Sequence, residues 1–278
     1  MKRRDWPKEI ASSLDYLLRQ CGPLTFPVDL AKVAARRGVR TICFRPMPCD
    51  GAIEAIESGF EVHLRAERER SVPILSVDTT KMDPRVRFTL AHEIGHTFFY
   101  DERFQPVVPQ PDKPLLEWMC NFAAVRLLLP KSLLELELGP GGRLDSLEMA
   151  QDLAEHTGVS CFVVVRRFDE LKALVDQDYA LLIVEKKDDS TLLVLGACLN
   201  GVFTAETKPE LYGCLPGWVL KLAPGVGSGA TRAFRVPYDD RYDYRSRVEP
   251  VDRMKNCYFV EISLELNRKT ASLLQHRS

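Results

Sequence analysis

The sequence predicts an α+β fold in three parts that differ in their pattern of apolar residues. In residues 1–138, stretches with helical spacing alternate with short strand-like segments, and the clearest helix starts at Asp83-Pro84. Residues 139–175 begin with a glycine-rich break and favour a pair of helices. In residues 176–278 the apolar residues are spaced as in strands, so we expect a smaller β-rich domain there.

The composition is that of an ordinary globular protein of 278 residues. Its 38 lysines and arginines face 39 aspartates and glutamates, which gives a formal net charge of −1. A near-neutral chain lacks the positive field that non-specific nucleic-acid binding uses. No apolar run approaches the roughly 20 residues that span a bilayer, and the charged start lacks the apolar core of a signal peptide. We therefore expect neither a membrane protein nor a secreted one.

The eight cysteines are spread over the whole chain and include no CxxC pair. A disulfide-stabilised secreted domain would be smaller and denser in cysteine, and a structural zinc knuckle would need paired cysteines. The sequence thus predicts reduced thiols in a cytoplasmic protein.

The first part is expected to contain two helices and three short strands before its clearest helix. The helical segments are Ala11 to Leu18 and Val28 to Arg36, and the strand-like segments are Arg40 to Phe44, Phe60 to Leu64 and Ile74 to Val77. The next helix is predicted from Pro84 to about Phe99, with Asp83 as N-cap and proline at the first helical position.

This helix carries an HExxH motif at residues 92–96. His92 and His96 lie one turn apart and project about 40° from one another around the helix axis. Two imidazoles so placed can hold one zinc ion, and Glu93 beside them can take a proton from a zinc-bound water. The alternative is a helix with two surface histidines and a fortuitous glutamate, but the apolar residues on its opposite side favour a buried active-site helix.

A catalytic zinc ion usually has three protein ligands and one open position for water. Glu117 and Asn121, four residues apart, would share one face of a second helix. Glu117 could then ligate the ion while Asn121 orients a ligating histidine. The alternative is a solvent-exposed glutamate with a polar surface neighbour; the upstream HExxH motif favours the ligand.

These blocks resemble the ImmA/IrrE family of metallopeptidases. Residues 87–96 read RFTLAHEIGH, and Glu117 and Asn121 are followed by Phe122-Ala123-Ala124 and by LLLP at residues 127–130. In that family RFTLAHELGH precedes E-xxx-N-x-FA and LLMP, so Leu129 is a conservative departure. The similarity covers residues from about 25 to 170. It implies a mainly helical, zincin-like peptidase domain with a small sheet, the metal ligands His92, His96 and Glu117, and Glu93 as the catalytic base.

Family members that act in regulation cut a helix-turn-helix repressor, which switches on genes of mobile elements or of the DNA-damage response. The resemblance therefore implies a zinc-dependent endopeptidase whose protein substrate is a transcriptional repressor. Manganese or iron could also occupy a site of two histidines and a glutamate. The alternative class is a DNA- or partner-binding regulator with a structural or vestigial metal site, although a structural ion would not need Glu93. Within the enzyme class, a general peptidase or a toxin also fits.

A peptidase also needs a donor for the oxyanion of the tetrahedral intermediate. Tyr100, near the metal face of the HExxH helix, and His156 are the candidates, with a packing aromatic and a surface histidine as the respective alternatives. His63 is expected to be structural. An edge strand near such a site commonly pairs with extended substrate, and the sequence leaves open which strand this is.

Residues 139–175 contain a helix-turn-helix-like pattern. Asp145-xx-Glu148 resembles a capping box, and Leu153-Ala154 is followed after three residues by Gly158-Val159-Ser160 and a second helix. That helix opens with Cys161-Phe162-Val163, which is apolar where base-reading side chains should stand. Residues 141–172 carry four basic and six acidic side chains. We therefore expect this pair to complete the catalytic unit or to dock a partner, and we do not expect direct DNA binding.

The last part is expected to be a small strand-rich domain. The strand-like segments are Tyr179 to Glu185, Thr191 to Cys198 and Asn256 to Leu266, with a turn at 187–190, a continuation at 201–204 and a long loop at 224–229. Some relatives carry a GAF-like sensor domain at this end, so the resemblance suggests one here, although the segment is short for it. Basic residues between 232 and 255 are nearly cancelled by acidic neighbours, which favours a solvent-exposed face.

Overall fold

The computed structural model describes residues 5–186, 192–201, 232–237, 242–251 and 254–266. It is a mixed α+β structure, as predicted, and its first unit is consistent with the expected zincin-like domain. The chain packs as two compact units, one formed by residues 1–140 and 153–163 and the other by residues 141–152 and 164–278. The three-part division expected at residues 138 and 175 stays a prediction.

The first unit combines helices with a four-stranded sheet. Its helices are α1 (Trp6–Gln20), α2 (Leu30–Arg36), α3 (Pro84–His96), α4 (Lys113–Leu128) and α5 (Lys131–Leu138). Its strands are β1 (Val39–Arg45), β2 (Gly51–Ile56), β3 (Gly59–Arg65) and β4 (Arg70–Pro73). The strand order is β2-β3-β1-β4, in which β1 and β3 are parallel and the other neighbours are antiparallel. β2 is therefore an edge strand of this sheet.

Alternating apolar residues place one face of the sheet in the core. Ile42 of β1 and Phe60, Val62 and Leu64 of β3 are all buried, as the period of two predicts. The helix α3 packs against α4, β2 and β3, and its apolar side buries Leu90, Ala91 and Ile94. A fully buried side chain of the Leu or Ile type contributes about 1.5–3 kcal/mol, so this packing holds the HExxH helix firmly on the sheet.

The predicted strand at Ile74 to Val77 is wrong. Ile74–Ser76 form a short 3₁₀ helix, and the strand is β4, just before it. Pro73 has no N–H to donate, so the ladder between β4 and β1 ends there. Ile74 then turns into the core, where it is buried.

The first unit also contains a fully buried arginine, Arg87 of α3. Its guanidinium donates to the carbonyl oxygens of Val28 (3.1 Å) and Gly158 (3.0 Å) and also to that of Thr79. A buried cation without acceptors would be costly. These carbonyl oxygens satisfy the guanidinium, and they fix α3 to the segments around Val28, Thr79 and Gly158.

Two helices follow the glycine break, α6 (Leu147–Thr157) and α7 (Cys161–Glu170). Gly158 in the turn between them has φ +64°, in the left-handed region that favours glycine. The helix is capped one residue later than expected, because the hydroxyl of Ser146, not the carboxylate of Asp145, accepts the N–H of Met149 (3.3 Å). Since Met149 cannot bond back to the cap, this is a serine N-cap and not the expected capping box. The helical pair is thus present, while a helix-turn-helix function for it stays a prediction.

The second unit contains a five-stranded antiparallel sheet. Its strands are β5 (Tyr179–Lys186), β6 (Leu192–Leu199), β7 (Arg232–Pro237), β8 (Tyr242–Pro250) and β9 (Cys257–Leu266), in the order β6-β5-β9-β8-β7. The expected β-rich character is therefore present, and a GAF-like identity stays a prediction. The turn at 187–190, residues 202–204, the loop at 224–229, and Arg241 and Arg253 of the basic run lie outside the described residues.

No helix in the described part of the chain is both long and apolar enough to cross a bilayer. No disulfide joins the cysteines that the structure describes.

Candidate metal centre

The two histidines of the motif converge on the side of α3 that faces α4, where their side chains are only 16% and 17% exposed. Asp83 caps this helix, since its carboxylate accepts the N–H of Arg85 (2.9 Å), and Pro84 follows as predicted. The α-helix ends at His96, and the three residues after it form a 3₁₀ turn. The Nε2 atoms of His92 and His96 are 3.2 Å apart.

The helix α4 brings a carboxylate to the same point. Its N-terminus is fixed by Asp112, whose carboxylate accepts the N–H of Leu115 (2.9 Å). One turn further, Glu117 Oε2 lies 3.2 Å from His92 Nε2 and 3.9 Å from His96 Nε2. The predicted spacing of four residues also holds for Asn121, whose Oδ1 accepts the Nδ1–H of His92 at 2.9 Å. The structure therefore brings His92, His96, Glu117 and Asn121 together.

This arrangement fits a tetrahedral metal ion. The two nitrogens and the carboxylate oxygen form a triangle with edges of 3.2, 3.2 and 3.9 Å. Ligand atoms of a tetrahedral zinc ion at bond lengths of about 2.0–2.2 Å are roughly 3.4 Å apart. Because Asn121 accepts the proton of Nδ1, the Nε2 lone pair of His92 points to the common centre.

Burial keeps His96 neutral. Desolvation, with a smaller contribution from His92, lowers the pKa of His96 to about 4, although the nearby Glu117 opposes this shift. The ring is therefore unprotonated near neutral pH. Metal binding requires this form, since a protonated imidazole has no lone pair to offer.

Glu93 lies on the inner side of the motif and is only 5% exposed. Burial raises its pKa to about 7, and the neighbouring carboxylate of Glu117 adds to the shift. A carboxyl group that exchanges its proton near neutral pH is well matched to general base and acid catalysis.

The strand β2, which lies against Glu93, was not predicted from the sequence. A Cβ atom on Gly51 would be 2.7 Å from Glu93 Oε1 and 2.5 Å from Thr89 Cγ2. Glycine therefore leaves the room that the carboxylate occupies. A local signal for the hairpin did exist. Glu57 and Ser58, followed by Gly59 at the start of β3, form the tight turn that joins β2 to the predicted strand β3.

Cys120 of α4 was also missed. Its side chain is fully buried, and its sulfur lies within 4.8 Å of a ring nitrogen of both His92 and His96, which makes these three residues a candidate metal-binding group. A Cβ atom on Gly95 would lie 3.1 Å from the Cα and the carbonyl oxygen of Cys120, so glycine allows the two helices to approach here. Burial raises the pKa of the Cys120 thiol.

The proposed oxyanion donors have other neighbours. The ring of Tyr100 packs edge-on against Phe60, with centroids 5.1 Å apart. His156 forms an ion pair with Glu137 (3.5 Å) and contacts Phe26 edge-on. In the described part of the chain, neither Tyr100 nor His156 forms a hydrogen bond, ion pair or ring contact with His92 or His96. The oxyanion role of Tyr100 and His156 stays a prediction.

His63 of β3 is buried, and its Nε2 lies 3.4 Å from Glu54 Oε2 of β2 without a hydrogen bond. The structural role expected for His63 stays a prediction.

Residues 53–169 match the family of M78 peptidases described as the IrrE N-terminal-like domain. The matched region is thus similar to the ImmA/IrrE peptidases that the sequence motifs resemble. It includes both α3 and α4, and thus every residue of the candidate metal centre. No curated protein matches the chain.

Proposed function

We propose that this ImmA/IrrE-type domain is a zinc-dependent endopeptidase with His92, His96 and Glu117 as metal ligands and Glu93 as catalytic base. The observation that carries the proposal is the convergence of the three ligand atoms within 3.9 Å of one another, beside a buried glutamate. Two imidazoles and a carboxylate are the ligand set of many catalytic zinc sites. Manganese or iron are the alternatives that the same ligands accept.

A zinc ion bound here would supply Lewis acidity toward the scissile carbonyl and the attacking water. Glu93 would take the proton of that water and then pass it to the leaving amine, a role that its position beside the ligands and its burial support. Asn121 holds the His92 ring in place, and Gly51 leaves the space in which the Glu93 carboxylate lies.

The edge strand β2 is the place where an extended substrate would bind. It pairs with β3 on one side only, at the end of the strand order, and its first residue contacts Glu93. A peptide that adds to this edge by backbone hydrogen bonds passes next to the base. We therefore assign to β2 the substrate-pairing role that the sequence left open.

The substrate that the family resemblance supports is a helix-turn-helix repressor, cut in the cytoplasm to induce a stress or mobile-element response. The DNA-binding alternative has less support. Val163, Val164 and Val165 near the start of α7 are buried within the protein. These residues therefore cannot contact base edges, and base contacts are what specify a DNA site.

The test is digestion of a peptide library, with casein and purified helix-turn-helix repressors alongside, read by mass spectrometry. We expect cleavage by the wild type that a chelator abolishes and zinc restores, and none by Glu93→Gln with its metal retained. Casein should be cut poorly if the enzyme is a dedicated regulator. Cleavage that persists in Glu93→Gln or in the presence of the chelator contradicts the proposal.

A further inference from the structure

A second side chain with metal-binding chemistry, the thiol of Cys120, lies on α4 near Glu117. The Cys120 sulfur is within 4.8 Å of a ring nitrogen of each histidine. Cys120 follows Glu117 by three positions, so both side chains leave the same side of the helix. The histidines therefore face a carboxylate that is 43% exposed and a thiol that solvent does not reach.

The thiol has the chemistry and the reach of a metal ligand. No described residue donates a hydrogen bond to it or accepts one from it. Sulfur binds zinc at about 2.3 Å, so a sulfur and a nitrogen on one tetrahedral ion are about 3.6 Å apart. In the metal-free protein the sulfur and a ring nitrogen of each histidine lie within 4.8 Å of one another.

We propose that the Cys120 thiolate is a ligand of the ion held by His92 and His96. Coordination of an ion would replace the S–H bond by a sulfur–metal bond and release the thiol proton, as metal binding to cysteine requires. Thiolate ligands favour zinc over manganese, so Cys120 gives the centre a preference for zinc. The inference rests on the metal centre of the proposed function but does not depend on peptide cleavage.

X-ray absorption at the zinc edge tests this on the full chain. A thiolate ligand gives one sulfur at about 2.3 Å, beside nitrogen and oxygen at about 2.0–2.2 Å. We expect one sulfur per zinc in the wild type and none in Cys120→Ala. The matched control Cys161→Ala, which removes a thiol from α7, should keep it. A wild-type spectrum with nitrogen and oxygen alone overturns the inference, whether or not any variant folds.

The absorption spectrum of the cobalt-substituted protein provides a second test. The Co²⁺ protein should show a thiolate-to-cobalt charge-transfer band in the near ultraviolet, and Cys120→Ala should lose this band. The visible d–d bands should remain, because the two histidines and Glu117 still bind. A charge-transfer band that persists in Cys120→Ala overturns the inference. A wild type that binds no ion contradicts the proposed function itself, whereas an ion bound without sulfur contradicts only the role of Cys120.

Discussion

Glu93 is the residue whose environment bears most directly on the proposed chemistry. Its carboxyl is buried, and both the loss of solvent and the charge of Glu117 raise its pKa to about 7. A surface glutamate would be ionised throughout the neutral range and would hold a proton too weakly to return it to an amine. The local environment therefore gives one carboxylate the properties of a base while Glu117, half-exposed on the next helix, keeps those of a ligand.

The raised pKa of Glu93 predicts how the stability of the metal-free protein depends on pH. Glu93 binds its proton more tightly in the folded state, so its contribution to stability is present below the ordinary value of 4.5 and is lost as the pH rises through about 7. Denaturant unfolding across this range should show the decline in wild type and a weaker one in Glu93→Gln. Equal pH profiles for the two proteins would contradict the assigned environment.

Asn121 is expected to act on the ion through His92. Removal of its side chain in Asn121→Ala frees the His92 ring to rotate, and loss of such a partner typically lowers metal affinity about 10- to 100-fold. Competition with a chromophoric chelator measures this. Asn121→Asp, which keeps an oxygen acceptor, should recover most of the affinity, and an unchanged zinc affinity in Asn121→Ala would count against the hydrogen bond.

At the scale of the elements, the centre depends on how closely α3 and α4 approach. Gly95→Ala places a Cβ atom 3.1 Å from backbone atoms of Cys120. Because backbone atoms cannot rotate away, the helix α4 must move to relieve this close contact. Such overpacking costs about 1–3 kcal/mol, and Glu117 moves away from the histidines with the helix. We expect lower thermal stability and weaker zinc binding, measured by calorimetry, while Ser132→Ala on the exposed side of α5 leaves both unchanged. Wild-type values for Gly95→Ala would refute this view of the helix contact.

The contact between β2 and α3 is expected to affect the catalytic base and not the metal ligands. A methyl group in Gly51→Ala meets the end of the Glu93 side chain and the methyl of Thr89. Side-chain ends move more readily than backbone, so we expect the base to be displaced while the ligands stay in place. Peptide cleavage should fall at least tenfold, as the loss of positioned proton transfer predicts, with the zinc content unchanged. Loss of the metal instead would show that β2 supports the ligands and not the base.

Elements with a strong local signal were predictable. The cap at Asp83 and the period of α3 and α4 place His92, His96, Glu117 and Asn121 on facing sides of two helices, and each spacing is local to one helix. Cys120 and the space at Gly51 depend on which elements pack together, which no local pattern records. The misplaced strand at Ile74 has the same origin, since its apolar residues serve a buried turn after Pro73 and not a ladder.

At the scale of the whole molecule, the charges favour a protein-directed function over a nucleic-acid-directed one. The net charge is −1. Arg247, one of the basic residues between positions 232 and 255, is paired with Glu148 and Glu249. Paired side chains of this kind release few counterions from DNA, and counterion release provides most non-specific affinity. The ImmA/IrrE match to residues 53–169 points the same way, because it contains the whole candidate centre.

The metal content of the purified protein, measured by elemental mass spectrometry, tests the proposed zinc centre most directly. We expect about one zinc per chain in the wild type and in Glu93→Gln, because Glu93 is a base and not a ligand, and a large loss in His96→Ala. A wild type that carries no metal and gains none on addition of zinc would contradict the proposed metallopeptidase.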